Sequence, residues 1–315
     1  MLKKLVALTF LTLALVLLPS SHLAARADGA APPVLIIHSH GGTVHLYSAG
    51  GGGVDVRPGL SGQRIGVTRF VPGQFGRGPM LPGQQVCRPA GRRVRCFRLP
   101  ARQFAVSFPP ALANSPGFHV ENPGGDMSVA LPQRVGAVFI DAQQGNVVVE
   151  KLRGPFVIQA PNGDVRLRNV YGRGLIRTTA GNITLSGVGG DIHLATFGGS
   201  IVVLGSFAGK ANVQSQSGPI TWRFAKVGSG PYTFTSEQGA IRLQFLPGVA
   251  AQVDAQSDTG NVYNMLPGAN GAAAGQHALS VPINGGGPEI TVTSTSGDIT
   301  IEQVAPGSPL GFQQP

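Results

Sequence analysis

The sequence predicts an all-β fold, a β-solenoid of about nine rungs of 18–21 residues, preceded by an irregular N-terminal region with short β-hairpins. Three observations carry this. First, Gly125, Gly145, Gly163, Gly181, Gly199, Gly218, Gly239, Gly260 and Gly297 follow one another at spacings of 20, 18, 18, 18, 19, 21, 21 and 37 residues. Second, the positions two and four residues after each glycine are apolar, from Met127 and Val129 to Ile299 and Ile301, with Asn264 the exception. The position between them is mostly polar or mixed, and this period of two marks a strand with one buried face. Third, five residues before each glycine stands a mostly large apolar side chain (Ile140, Ile158, Ile176, Leu194), and three before it a small one (Ala142, Ala160, Thr178, Thr196, Ser215, Ser236, Ser257, Ser294). That is a second strand, ending at a corner too tight for a large side chain. A unit of two short strands cannot bury its own face, and stacking such units buries one continuous core.

Residues 1–27 read as an export signal. Lys3 and Lys4 precede an apolar run over residues 5–18, too short to span a bilayer comfortably. Pro19 ends the run, and Ala25-Arg26-Ala27 fits a small-x-small cleavage site. No other stretch is long and apolar enough to span, so the mature chain is expected to lack a transmembrane segment and to be periplasmic, cell-surface or secreted.

Residues 28–110 are rich in Gly, Pro and Arg. In "IIHSHGGTVHLY" a two-residue turn at Gly41-Gly42 would make a hairpin. It would pair His38 with His45 and His40 with Thr43. His38, His40 and His45 would then share one side, within reach of zinc or copper; three polar residues on an exposed edge are the alternative. Between Val56 and Val120 stand ten arginines and no acid, whereas from Glu121 onward eleven basic residues face twelve acidic ones. A block of one sign attracts acidic partners, with Arg88, Arg92, Arg93, Arg95, Arg98 and Arg102 as the candidate contacts; solubility alone is the alternative. Cys87 and Cys96 flank "RPAGRRVR", which reads as a hairpin turning near Ala90-Gly91. An oxidising compartment would let them form a disulfide, worth about 2–3 kcal/mol in the chain-entropy model. Two free thiols or half of a metal site are the other readings.

Residues 111–304 hold the rungs. Each corner glycine is expected to supply a positive φ, and the Asp or Asn after it to bond its own backbone. No amphipathic helix follows any of these glycines, so none opens a phosphate loop. The 37-residue interval holds "GANGAAAGQHALSVPINGGG", a loop or degenerate rung. Residues 305–315 are expected to form a disordered tail, too short and polar to cap the rod.

The segments "ENPGGDMSVALP", "GAVFIDAQQGNVVVEKLRGPF", "APNGDVRLRNVYG", "TTAGNITLSGVGG" and "ITVTSTSGDITIE" resemble the bacterial putative-adhesin family of exported β-strand-repeat proteins, a domain family of unknown function. The resemblance covers residues 104–304 or so and implies a β-solenoid and an envelope or surface role. It brings no catalytic residues. The residues themselves agree: a polysaccharide-cleaving site needs acids clustered on one outer face, while Asp126, Asp164, Asp191 and Asp298 stand at turns. The chain is therefore expected to be a non-enzymatic, cofactor-free, adhesin-like binding protein of the envelope or surface. Its scaffold is the solenoid, and its basic segment contacts acidic polysaccharide or another anionic envelope component. Export disfavours nucleic acid. A ligand-free structural spacer, a polysaccharide-active β-helix enzyme and a periplasmic metal binder are the rival readings.

Overall fold

The computed structural model of the 315-residue chain describes residues 25–26, 34–48, 53–59, 65–70, 85–90, 93–98, 117–122, 124–132, 134–206, 209–268 and 276–307. All regular structure among them is β-strand. Two sheets of 12 strands face each other, and a separate two-stranded hairpin stands apart from them. In each large sheet two strands are antiparallel end pieces and the other ten run parallel, so ten rungs stack among the described residues. At about 4.8 Å per rung the stack is about 45 Å long. The solenoid read from the sequence is present, with one rung more than the nine corner glycines mark.

Each rung contributes one strand to the upstream sheet, turns at the glycine corner, and contributes the next strand to the downstream sheet. Ile158 and Ala160 before the corner and Val165 and Leu167 after it all point inward and are 0–2% exposed. The same alternation repeats from Val120 to Ile301 and gives a single core running the length of the rod. After the downstream strand the chain crosses back through a one-residue ladder, Arg153 to Tyr171 to Gly189, with Leu152, Val170 and Val188 turned inward beside it. Where the glycine spacing widens to 21 residues, the core holds Trp222, Phe224, Tyr232, Phe234 and Phe245, all buried and packed ring on ring. The longer rungs enclose the extra ring volume.

The rungs are not stacked in chain order at either end. In space the series begins with 117–131, then 34–48, then 137–150, and continues in sequence to 232–245. It closes with 289–303 and then 251–265. The N-terminal region therefore does not precede the solenoid as a separate hairpin-bearing segment, and the boundary expected at 110/111 does not divide the sheets. Val34–Ser39 and Val44–Ser48 are parallel strands of opposite sheets, and Gly41-Gly42 is a rung corner rather than a hairpin turn. Relative to Gly42, Ile37 and Ser39 occupy the large and small columns before a corner glycine, and Val44 and Leu46 the apolar columns after one.

Antiparallel strands flank both end rungs, which blunts edges that would otherwise pair with other chains. Gly53–Pro58 and Gly66–Phe70 flank the 117–131 rung. Ala278–Ile283 flanks the 251–265 rung, so the 37-residue interval holds this returning strand. Asn264, the polar exception in its column, lies in that end rung and accepts the backbone N–H of Leu266 at 3.2 Å.

The corner glycines are required mainly by crowding, which corrects the expected positive φ. Of the nine, only Gly125 has a left-handed φ. At Gly163 an added Cβ would fall 1.7 Å from the carbonyl oxygen of Gly145, and at Gly181 it would fall 1.9 Å from that of Gly163. Gly42 joins the same column: the oxygen of Gly42 would meet a Cβ on Gly145 at 1.9 Å. The Asp or Asn that follows serves the next rung rather than its own turn. The N–H of Asp164 donates to Asn146 Oδ1 at 2.9 Å, that of Asn182 to Asp164 Oδ1 at 3.0 Å, and that of Ser200 to Asn182 Oδ1 at 2.9 Å.

Candidate binding surface

The return ladder places side chains along one edge of the rod. Lys151 and Asn169 adopt left-handed turns, with φ of 56° and 55°, as the chain leaves the downstream sheet. The N–H of Lys151 donates to the carbonyl of Arg168 at 2.9 Å, and that of Gly154 to the carbonyl of Tyr171 at 2.9 Å. Because Leu152 and Val170 point inward, their neighbours Arg153 and Tyr171 point outward. The Arg153 guanidinium lies 5.7 Å from the centre of the Tyr171 ring, a cation–π arrangement. Tyr171 is 49% exposed, one of two large hydrophobics so exposed among the described residues. Lys151, Arg168 and Arg173 are exposed beside it. Arg173 reaches Asp191 only at 3.8 Å, with most of its side chain in solvent. Among the described residues no carboxylate forms an ion pair with Lys151, Arg153 or Arg168. The result is a cationic edge with a tyrosine at its centre. The sequence reading did not find this edge. Its signal was the "KLRGP" and "NVYGR" pair, 18 residues apart, placing Arg153 over Tyr171.

Elsewhere on the downstream face three other arginines are engaged by neighbouring side chains. Arg166 pairs with Asp164 at 3.0 Å, Arg223 donates to Gln244 at 2.9 Å, and Arg242 lies 3.8 Å from Glu302.

The histidines are separated by the rung geometry. His38 lies on the outer face of the upstream sheet, in register between Glu121 and Asp141. His45 lies on the downstream sheet between Ser128 and Val148, and His40 at the exposed corner. His38 and His45 therefore are not cross-strand partners, and no group of three or more His, Cys, Asp or Glu able to hold a metal occurs among the described residues. His38 Nδ1 is 3.7 Å from Asp141 Oδ2. The hydrogen bond to Asp141 pushes the His38 pKa up, against partial burial and with help from Glu121.

Gln85–Ala90 and Arg93–Arg98 form the expected hairpin, with Cys87 opposite Cys96 and Arg88 opposite Arg95. The side chains of this hairpin, Arg92 and Arg102 lie outside the described residues, as does the leader apart from Ala25–Arg26. The 305–315 tail is described only as far as residue 307.

A second apolar cluster lies on the outer face of the upstream sheet, where Ile36, Phe139, Val157 and Leu175 stack in register and are buried. The column turns polar at His193, Asn212 and Thr233. A groove of about 540 Å³ runs along it, with Arg173, Asp191 and Lys210 among its lining residues. The sequence signal for this face was the loss of alternation: "VFI", "FVI" and "GLI" are apolar on both sides.

No curated protein matches the chain. Among solved structures, a putative cell adhesion protein from Clostridium sporogenes ATCC 15579 is 8% identical, with 90% of this chain and 98% of that chain covered and a TM-score of 0.27, too low for the two folds to be compared. The family model described as Toastrack DUF4097 matches residues 116–302, more than half of the chain, over the rungs built above. The chain belongs to the Toastrack family, DUF4097.

Proposed function

We propose that this chain is an exported, non-enzymatic binding protein of the cell envelope or surface, adhesin-like in character, whose rod holds a cationic edge against acidic polymers such as polysaccharide. The observation that carries the reading is the exposed Lys151, Arg153, Arg168, Tyr171 and Arg173 set, held on a rigid ladder and short of carboxylate partners. The arginine-rich stretch from Arg57 to Arg102 adds charge of the same sign. No helix among the described residues is long and apolar enough to cross a membrane. Contact would be multipoint and electrostatic, weakening as salt rises.

Removing the N-terminal region is not a clean test, because residues 34–48 are a rung. The test uses the full chain. Binding to a sulfated polysaccharide, polyglutamate, DNA and anionic vesicles is measured at low and high salt. It is compared with an Arg153→Ala, Arg168→Ala, Arg173→Ala variant and with an Arg92→Ala, Arg93→Ala, Arg95→Ala variant. Salt-sensitive polysaccharide binding that weakens about tenfold in the first variant is expected, each of the three lost contacts costing about 0.5 kcal/mol. Loss confined to the second variant would move the site to the hairpin. Absence of binding by the parent chain would leave a ligand-free spacer.

A further inference from the structure

Four rungs carry apolar side chains on the outer face of the upstream sheet as well as on the inner one. Ile36, Phe139, Val157 and Leu175 stand in register in one outward column, with Val34 and Ala137 beside the first two. Phe139, Val157 and Leu175 are 2–7% exposed. The strands on either side do not account for that burial. His193, Asn212 and Thr233 continue the column between strands of the same kind, yet His193 is exposed and the other two are half-buried. What covers the four apolar rungs is not the sheet, and it ends near His193.

The points where the chain leaves and rejoins the sheet narrow the choice. It leaves the upstream sheet at Phe70 and rejoins it at Gly117, and these two residues are in register on adjacent strands. Gly117 is in turn in register with Val34, at the start of the apolar strip. Ala25–Arg26, at the end of the leader, pairs instead with Gly53 and Val54 in the other sheet. Within the 71–116 excursion, Arg102, Phe104, Val106 and Phe108 alternate with Gln103, Ala105 and Ser107. An extended stretch of this pattern presents the first four on one side. From Phe108 back to Arg102 is about 20 Å of extended chain, and from Ile36 to His193 is four rungs, about 19 Å. With Phe108 over Ile36, Phe104 falls over Leu175 and Arg102 falls at His193. Asp191, opposite in charge to Arg102, lines the same groove as His193. The two columns thus change from apolar to polar at the same point.

We infer that the outer column from Ile36 to Leu175 is the docking face for residues 102–108 of the same chain, which lie outside the described residues, so that the arginine-rich stretch is pinned along the rod.

The test uses full-length chains with one added cysteine, at Leu175 within the strip or at Asn212 beyond it. Alkylation is followed peptide by peptide, which keeps Cys87 and Cys96 separate. Leu175→Cys should react at least about tenfold more slowly than Asn212→Cys, because the apolar contact must lift first. Adding Phe104→Ser, Val106→Ser and Phe108→Ser should remove most of that difference, while adding Leu11→Ser, Leu15→Ser and Leu18→Ser in the leader should not. A second measurement does not depend on how the serine variants fold. Replacing Phe104 with photoreactive benzoylphenylalanine and irradiating should link it, within one chain, to the strand Gly174–Thr178 or its neighbour Phe156–Ala160. Fast alkylation of residue 175 without the serine changes would overturn the inference. Protection relieved by the leader changes alone would give the face to the leader, and protection that grows with protein concentration, or a link to a second chain, would give it to another copy; each overturns the inference as well.

Discussion

Gly163 shows what the corner column does at the scale of one residue. Its Cα faces the Gly145 carbonyl oxygen so closely that a Cβ would fall 1.7 Å away, against backbone that cannot rotate aside. Gly163→Ala should therefore cost more than about 3 kcal/mol, above the usual range for a point change. Asp164→Ala, which removes hydrogen bonds to Asn182 at an exposed position, should cost about 1 kcal/mol. Urea unfolding of both variants checks the ordering, and equal costs would contradict the crowding argument. The sequence revealed where these glycines stand but not why, because spacing is visible in a string and the approach of two backbones is not. His38 gives the pH dependence at this scale. Its folded pKa is raised by Asp141 and Glu121, so its contribution to stability is complete below the unfolded value of about 6.5 and is lost as pH rises through the folded value. NMR titration should place His38 above 6.5, and His38→Asn should lower the melting temperature more below about pH 6 than above about pH 8. A midpoint below 6.5 would contradict the pairing with Asp141.

At the scale of elements, the two sheets and the corners were legible because each leaves a period in the sequence. The order of the rungs was not. Every rung carries the same columns, large before the corner, small at it, and apolar twice after it. Any rung can therefore stack on any other, and the columns do not say which neighbour each takes. The 34–48 rung satisfied all of the columns around Gly42, yet Gly41-Gly42 between two alternating runs reads equally well as a hairpin turn. Only the pairing with Glu121 and Asp141 separates the two. A rung held on both sides should be as costly to damage as one in the middle of the rod, wherever it lies in the chain. Ile37→Ala and Ile299→Ala should each destabilise by about 2–5 kcal/mol, as Ile176→Ala should in a central rung. Values below about 1 kcal/mol for Ile37 and Ile299 would mark frayed ends rather than inserted rungs.

At the scale of the whole molecule, the exchange of order at both ends decides what surface the rod offers. Because 34–48 is a rung, the N-terminal region is tied into the stack, and its arginine-rich stretch is tethered on both sides, between 34–48 and 117–131. The cationic edge around Tyr171 lies among the sequential rungs beyond it, on a part of the rod that neither end disturbs. The sequence showed the charge imbalance but placed it in the N-terminal segment alone, since the net charge after Glu121 is close to zero. Local pairing hides the edge: Asp164 and Glu302 lie against Arg166 and Arg242, while among the described residues no ion pair covers Lys151, Arg153 or Arg168.

The most direct measurement is disulfide trapping at the N-terminal end, in single full-length chains. His45 lies in register with Val148 on one side and Ser128 on the other, so Ser128 and Val148 are two rungs apart. Two rungs are about 9.6 Å, beyond the roughly 7 Å that a disulfide spans between Cα atoms. The chain with His45→Cys and Val148→Cys should close a bond, mapped by mass spectrometry, and the chain with Ser128→Cys and Val148→Cys should not. Closure of the second pair and not the first would mean that the rungs at this end stack in chain order, and that 34–48 is not inserted between 117–131 and 137–150.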